Sequence, residues 1–112
     1  MAESIIKGGV NGFTGTRTSA MSKGTCYGTF DRKTRVVTLN FYAHSSSDIT
    51  TSTKLFTIPS EYCPSETVYG SVVAIGGGVT ATERCRVLSS GDVYQGASNI
   101  ARQVAGMIQY II

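Results

Sequence analysis

Seven carboxylates, one histidine and three cysteines are the groups in this chain with the most chemistry to offer. Glycoside hydrolysis needs two carboxylates facing each other across a cleft, roughly 5–10 Å apart. Glu3, Asp31, Asp48, Glu61, Glu66 and Asp92 fall in predicted turns, loops or the lead-in, where carboxylates are ordinarily solvated. Glu83 lies mid-strand beside Arg84 and reads as half of a surface or interface ion pair. A Ser–His–acid arrangement would have to use His44, and no Gly-x-Ser-x-Gly elbow accompanies it. No residue is therefore selected as catalytic, and the chain is read as a non-enzyme. Cys26, Cys63 and Cys85 form an odd set without Cys-x-x-Cys spacing, and a single histidine cannot complete a zinc site. No metal and no cofactor are expected. Three thiols, with Cys85 buried as a small hydrophobe, is the economical reading; one disulfide plus a free thiol is the alternative.

Other side chains suit binding better than catalysis. Flat aromatics with hydroxyls, planar guanidinium groups and Asp or Asn match the faces and hydroxyl edges of sugar rings. Tyr42 and His44 share one face of a predicted strand that leads toward Asp48. Arg84 and Arg86 share the outward face of another, with Cys85 and Val87 pointing inward. These five are the candidate binding residues. The blander readings are inter-strand packing for Tyr42 and ion pairing for the arginines.

The elements that must hold these groups are strands. From Thr14 onward, β-branched and aromatic residues alternate with polar ones between clusters of Gly, Ser, Asp and Pro. Strands are predicted at 15–21, 24–31, 34–44, 54–58, 68–76, 79–89, 92–96 and 102–111. The clearest has Val37, Leu39, Phe41 and Ala43 on one face and Thr38, Asn40, Tyr42 and His44 on the other, the period of two that a half-buried strand requires. Asp31-Arg32-Lys33-Thr34, Gly76-Gly77-Gly78 and Ser89-Ser90-Gly91-Asp92 read as tight turns. The glycine triplet lacks the following Lys-Ser/Thr and helix that a phosphate loop needs. A short helical turn is allowed around residues 97–102 and no more, and the polar tract 45–53 is expected to be a long connecting loop. Residues 1–13, broken by Gly8, Gly9 and Gly12, read as a lead-in that docks on the domain or on a neighbouring chain, with the domain proper at 14–112.

Length and composition agree with one small core. The chain has 112 residues, of which 41% are hydrophobic and 15% charged, so the surface must be covered largely by Ser, Thr, Gly and Asn. The net charge of +3 is spread out, with Arg32-Lys33-Arg35 the single cluster. That argues against nucleic acid as a partner, which usually demands a denser basic stripe. No secretory signal is read at the start, and no apolar run approaches the roughly 20 residues of a membrane span. The expectation is synthesis in a cytosol, with no membrane insertion.

The most informative segment is Leu55-Phe56-Thr57-Ile58-Pro59-Ser60-Glu61-Tyr62-Cys63-Pro64-Ser65. A strand enters Pro59, the chain turns through Glu61 and Tyr62, and Pro64 fixes a second corner. An apolar strand over 68–75, a hairpin, the turn Ser90-Gly91-Asp92-Val93 and a closing strand with Tyr110 follow in order. This succession, preceded by Lys33-Thr34-Arg35-Val36-Val37-Thr38-Leu39, resembles the C-terminal head domains of bacteriophage tail receptor-binding proteins and minor tail proteins over roughly residues 20–112. Such heads often carry a basic residue where Cys63 stands, and a tryptophan for stacking on sugars, which this chain lacks. The resemblance implies an all-β, antiparallel β-sandwich of jelly-roll type. It implies assembly as a homotrimer beside other tail or baseplate proteins at the tip of a virion tail, and recognition of host cell-wall or surface saccharide. The rival implication is a purely structural tail subunit that binds no glycan; a small glycan-degrading accessory domain is a third. A closing strand that ends on Ile111-Ile112 is expected to be covered by a sheet or by a sister copy.

Overall fold

A computed structural model describes residues 4–6, 9–50, 52–76, 79–95 and 101–112. Among the described residues ten strands form one antiparallel sheet: β1 (Ser4–Ile6), β2 (Val10–Thr14), β3 (Thr16–Arg17), β4 (Lys23–Asp31), β5 (Val36–Ile49), β6 (Lys54–Thr57), β7 (Val68–Gly76), β8 (Val79–Val87), β9 (Asp92–Gln95) and β10 (Ala101–Ile111). Among the described residues the only helix is the 3₁₀ turn Ser60–Tyr62. The lateral order is β1-β2-β4-β5-β10-β7-β8-β9-β6-β3. β2 and β3 are successive parts of one run, separated by Gly15, whose N–H donates to the Cys26 carbonyl. β2 pairs with β4 while β3 pairs with β6, so the two ends of the sheet meet and the sheet curls into a nearly closed barrel. The all-β antiparallel expectation is met in that form.

The alternation read on β5 has the cause expected of it. Val37, Leu39, Phe41 and Ala43 are buried, while Asn40 and Tyr42 are exposed. Opposite them stand Leu55 and Phe56 of β6, Val72 of β7, Cys85 and Val87 of β8, and Val93 of β9, each at most 1% exposed. Phe41 and Phe56 meet edge to face with centroids 6.0 Å apart, which ties the two halves of the barrel together. Phe13 lies directly over Gly28: any β-carbon there would overlap the Phe13 ring. Glycine at that point of β4 is what lets β2 fold its aromatic side chain inward.

The turns form as expected where they are described. Asp31 Oδ1 accepts from the N–H of Lys33 at 2.9 Å and of Thr34 at 3.4 Å, an Asx-type cap on the β4–β5 hairpin. Arg32 Nε donates to the Gly9 carbonyl (3.0 Å), and Arg35 Nε to that of Ile112 (3.0 Å), so two members of the basic cluster are tied into the fold. Gly91, at φ +90°, closes the β8–β9 turn, with its N–H on the Leu88 carbonyl. The β7–β8 ladder runs out to Gly76 opposite Val79. The middle of that glycine turn and most of the segment allowed a helical turn (residues 97–100) lie outside the described residues.

Four expectations need correction. Residues 4–6 and 10–14 form strands, so most of the supposed lead-in belongs to the sheet and the boundary after residue 13 falls inside β2. The strand expected at 15–21 is only Thr16–Arg17; the chain then turns and drops Met21 into the core. The strand expected at 79–89 stops at Val87, because Leu88 already belongs to the turn. The polar tract 45–53 is not a long loop: β5 continues to Ile49. Tertiary partners supply what its composition lacks. Ser45 is buried with its hydroxyl on the Ala20 carbonyl (3.0 Å), Ile49 is fully buried, and the Gln95 amide donates to the Ile49 carbonyl at 2.6 Å.

Candidate functional site

Outward-facing residues of β4, β5, β10, β7 and β8 line up in cross-strand rows. One row runs Thr25, Tyr42, Ala105, Val73; the next runs Tyr27, Asn40, Met107, Ser71, Arg84. Among the described residues the exposed large apolar side chains are Tyr27, Tyr42, Tyr69, Val73, Met107 and Ile111. All six project from this outer surface, because their neighbours Cys26, Phe41, Val72, Ile108 and Tyr110 alternate inward. A shallow depression of about 330 Å³ lies within it, with Tyr27 and Tyr42 flanking Thr25, Asn40 and Ala105. Two phenol rings with amide and hydroxyl groups between them can cover the apolar face of a ring and bond to its edge.

The sequence-derived candidates divide on this surface. Tyr42 stands in the depression, and His44 is one row further along β5, with Nδ1 at 3.2 Å from the Ser22 hydroxyl. Asp48 lies at the far end of the strand and does not join them. It pairs with Arg102, whose Nε is 2.9 Å from Asp48 Oδ1 and whose Nη1 donates to the Ser46 carbonyl at 2.9 Å. Arg84 lies three strands across from Tyr42 and one row along, about 14 Å across the sheet alone at a strand spacing of about 4.8 Å. Its guanidinium sits 5.6 Å from the Tyr69 ring centroid. Arg86 stacks on Tyr94 at 4.8 Å and donates to the Gln95 carbonyl at 3.5 Å. The two sets thus share a surface but not one depression. Tyr27, Tyr69 and Met107 were missed: each follows the same alternation, and nothing local in the sequence distinguishes an exposed tyrosine from a packed one.

A second concavity lies at the seam where β2 gives way to β3. It measures about 330 Å³ and is walled by Phe13, Ile58, Pro59 and Tyr62, with Thr16, Thr57, Ser60 and Glu61 completing the lining. Phe13 and Tyr62 stack in parallel at 4.2 Å, and Tyr110 donates its hydroxyl to the Tyr62 carbonyl at 2.5 Å. The Pro59–Pro64 corner and the closing tyrosine, distant in sequence, are therefore one structural unit.

All three cysteines are unbridged. Burial raises the pKa of Cys26 and Cys85 from 9.0 to about 12, so both remain thiols near neutrality. Cys63 is raised as well, first by burial and then by the negative charge of Asp92 and Glu61. Among the described residues no three His, Cys, Asp or Glu side chains are grouped to hold a metal ion. No helix there is long and apolar enough to cross a membrane. No protein family and no curated protein matches the chain.

Proposed function

We propose that the chain is a non-catalytic receptor-binding head of a bacteriophage tail, a jelly-roll-like β domain that assembles as a homotrimer and reads host cell-wall or surface saccharide. The observation that carries this reading is the outer face of β4, β5, β10 and β7. All the exposed large apolar side chains among the described residues gather there, interleaved with hydroxyl and amide groups. Exposed apolar side chains collected on one face of a sheet suit an interaction surface. The tyrosines suit sugar rings, and the neighbouring Met107 and Val73 suit a protein neighbour. Sites of this shallow form bind single ligands weakly, and several copies on one particle supply avidity.

Fluorescently labelled protein should bind host cells and lose that binding once the wall polysaccharide is stripped. Tyr42→Ala should weaken it by roughly tenfold, the loss of one stacked ring at about 1–1.5 kcal/mol. Light scattering should give three times the monomer mass. Adsorption that ignores polysaccharide removal would instead favour the purely structural tail subunit, a reading the apolar Met107 side also accommodates.

A further inference from the structure

We propose that the seam pocket beside the Ser60–Tyr62 turn is a binding site for one sugar ring that carries no negative charge, either neutral or amine-bearing. This rests on the saccharide reading above and assigns it a site separate from the outer face. The pocket, at about 330 Å³, falls in the range of small-ligand sites. Its walls are fixed before any ligand arrives. Phe13 and Tyr62 hold each other by stacking, Phe30 packs on Tyr62 at 5.6 Å, and Tyr110 anchors the Tyr62 carbonyl. Phe13, Ile58 and Tyr62 are each at most 4% exposed and form a rigid floor, so Thr16, Thr57, Ser60 and Glu61 offer most of the accessible surface. The preformed shape avoids the ordering cost that weakens binding at mobile loops.

The polar groups decide what can enter. Thr57 donates its hydroxyl to Asp92 Oδ1 at 3.2 Å, so its oxygen is left to accept from a ligand hydroxyl. Thr16 and Ser60 are exposed and add two further hydroxyls. Glu61 is the single charged side chain of the lining. Asp92 lies behind Thr57, and Lys54, 3.4 Å from it, neutralises part of its charge. Glu61 therefore sets the sign of charge within the lining, with Asp92 partly neutralised behind Thr57. A ring bearing a carboxylate or phosphate meets like charge at Glu61, whereas hydroxyls find acceptors and an ammonium finds Glu61.

Amide-resolved NMR titration of the whole chain with glucose, glucosamine and glucuronic acid tests this, because the three probes share one ring and differ in charge. Glucose and glucosamine should shift the amides of Thr16, Thr57, Ser60 and Glu61, with glucuronic acid about fivefold weaker for a like-charge contact with an exposed carboxylate. Glu61→Gln should bring glucosamine to the level of glucose. Ser60→Tyr, a substitution at an exposed position that fills the mouth, should abolish the shifts while the rest of the spectrum persists. Shifts confined to the Tyr27–Tyr42 depression, glucuronic acid binding as well as glucose, or no shift with any probe would overturn the assignment. Host-cell binding that is lost on polysaccharide stripping but unaffected by Ser60→Tyr would sink this pocket and leave the saccharide reading standing.

Discussion

Tyr110 shows how a single residue can close this fold. Its ring is buried among core side chains, and its hydroxyl reaches across 48 positions of sequence to the Tyr62 carbonyl. Burial raises the pKa of the phenol, with the nearby Cys63 and Cys26 adding to the effect, so it stays a donor. Tyr110→Phe keeps the ring and strands the carbonyl, which should cost about 1–3 kcal/mol in a urea titration. A change below the error of that titration would mean water reaches the Tyr62 carbonyl. The buried thiols give a pH signature with a definite sign. Cys26 and Cys85 titrate at about 12 when folded, above the ordinary 9.0. Below pH 9 both states hold these protons and stability is flat in this respect. Between pH 9 and about 12 only the unfolded chain releases them, so stability should fall across that window. Denaturation midpoints should drop there, and replacing both cysteines with alanine should make the dependence shallower, with the raised Tyr110 and Cys63 supplying what remains. Legibility at this scale was uneven. The inward set of β5 and the paired outward arginines followed from alternation alone. The Asp48–Arg102 pair joins residues 54 positions apart and left no local trace.

At the scale of elements, side chain and strand geometry decide together. Period-two segments became strands because each buries one face on the same interior, and the Asp31 and Gly91 turns followed from backbone chemistry. The 45–49 extension of β5 was illegible because serine and aspartate carry little strand propensity of their own. They are held by the Ala20 carbonyl, Gln95 and Arg102, all supplied by other parts of the chain. The β2–β3 break was hidden for a similar reason: Gly15 looks like any loop glycine until both of its flanking strands find different partners. The contact of Phe13 with Gly28 is the element-scale test. Gly28→Val should force Phe13 out of the interior, part it from Tyr62, and destabilise by about 1–3 kcal/mol. Thr29→Val, on the exposed side of the same strand, should stay within about 0.5 kcal/mol. Near-ultraviolet circular dichroism should change for the first and not for the second. Equal effects would mean that strand propensity, and not the aromatic contact, sets the stability of β4.

At the scale of the whole molecule, the strand order makes closure of the barrel depend on one non-local strand. β10 lies between β5 and β7, so the two halves of the barrel are bridged by the strand that comes last of the ten in chain order. It also supplies Val104, Ile108 and Tyr110 to the core. Without it β5 and β7 would present bare edges, and Tyr62 would lose its carbonyl partner. A chain ending at residue 100 should therefore show no cooperative unfolding transition and should bind a hydrophobic dye. The full chain should refold in milliseconds to seconds, the range of roughly similar all-β domains whose pairings are non-local, since loop closure must precede the contacts that reward it. Ile108→Ala probes the order of events. If β10 docks after the transition state, the substitution should accelerate unfolding and leave the refolding rate nearly unchanged. Slower refolding by most of the stability change would place β10 in the nucleus. A truncated chain that still unfolds cooperatively near the full-length midpoint would mean β5 and β7 can pair directly, and the bridging role assigned to the final strand would have to be abandoned.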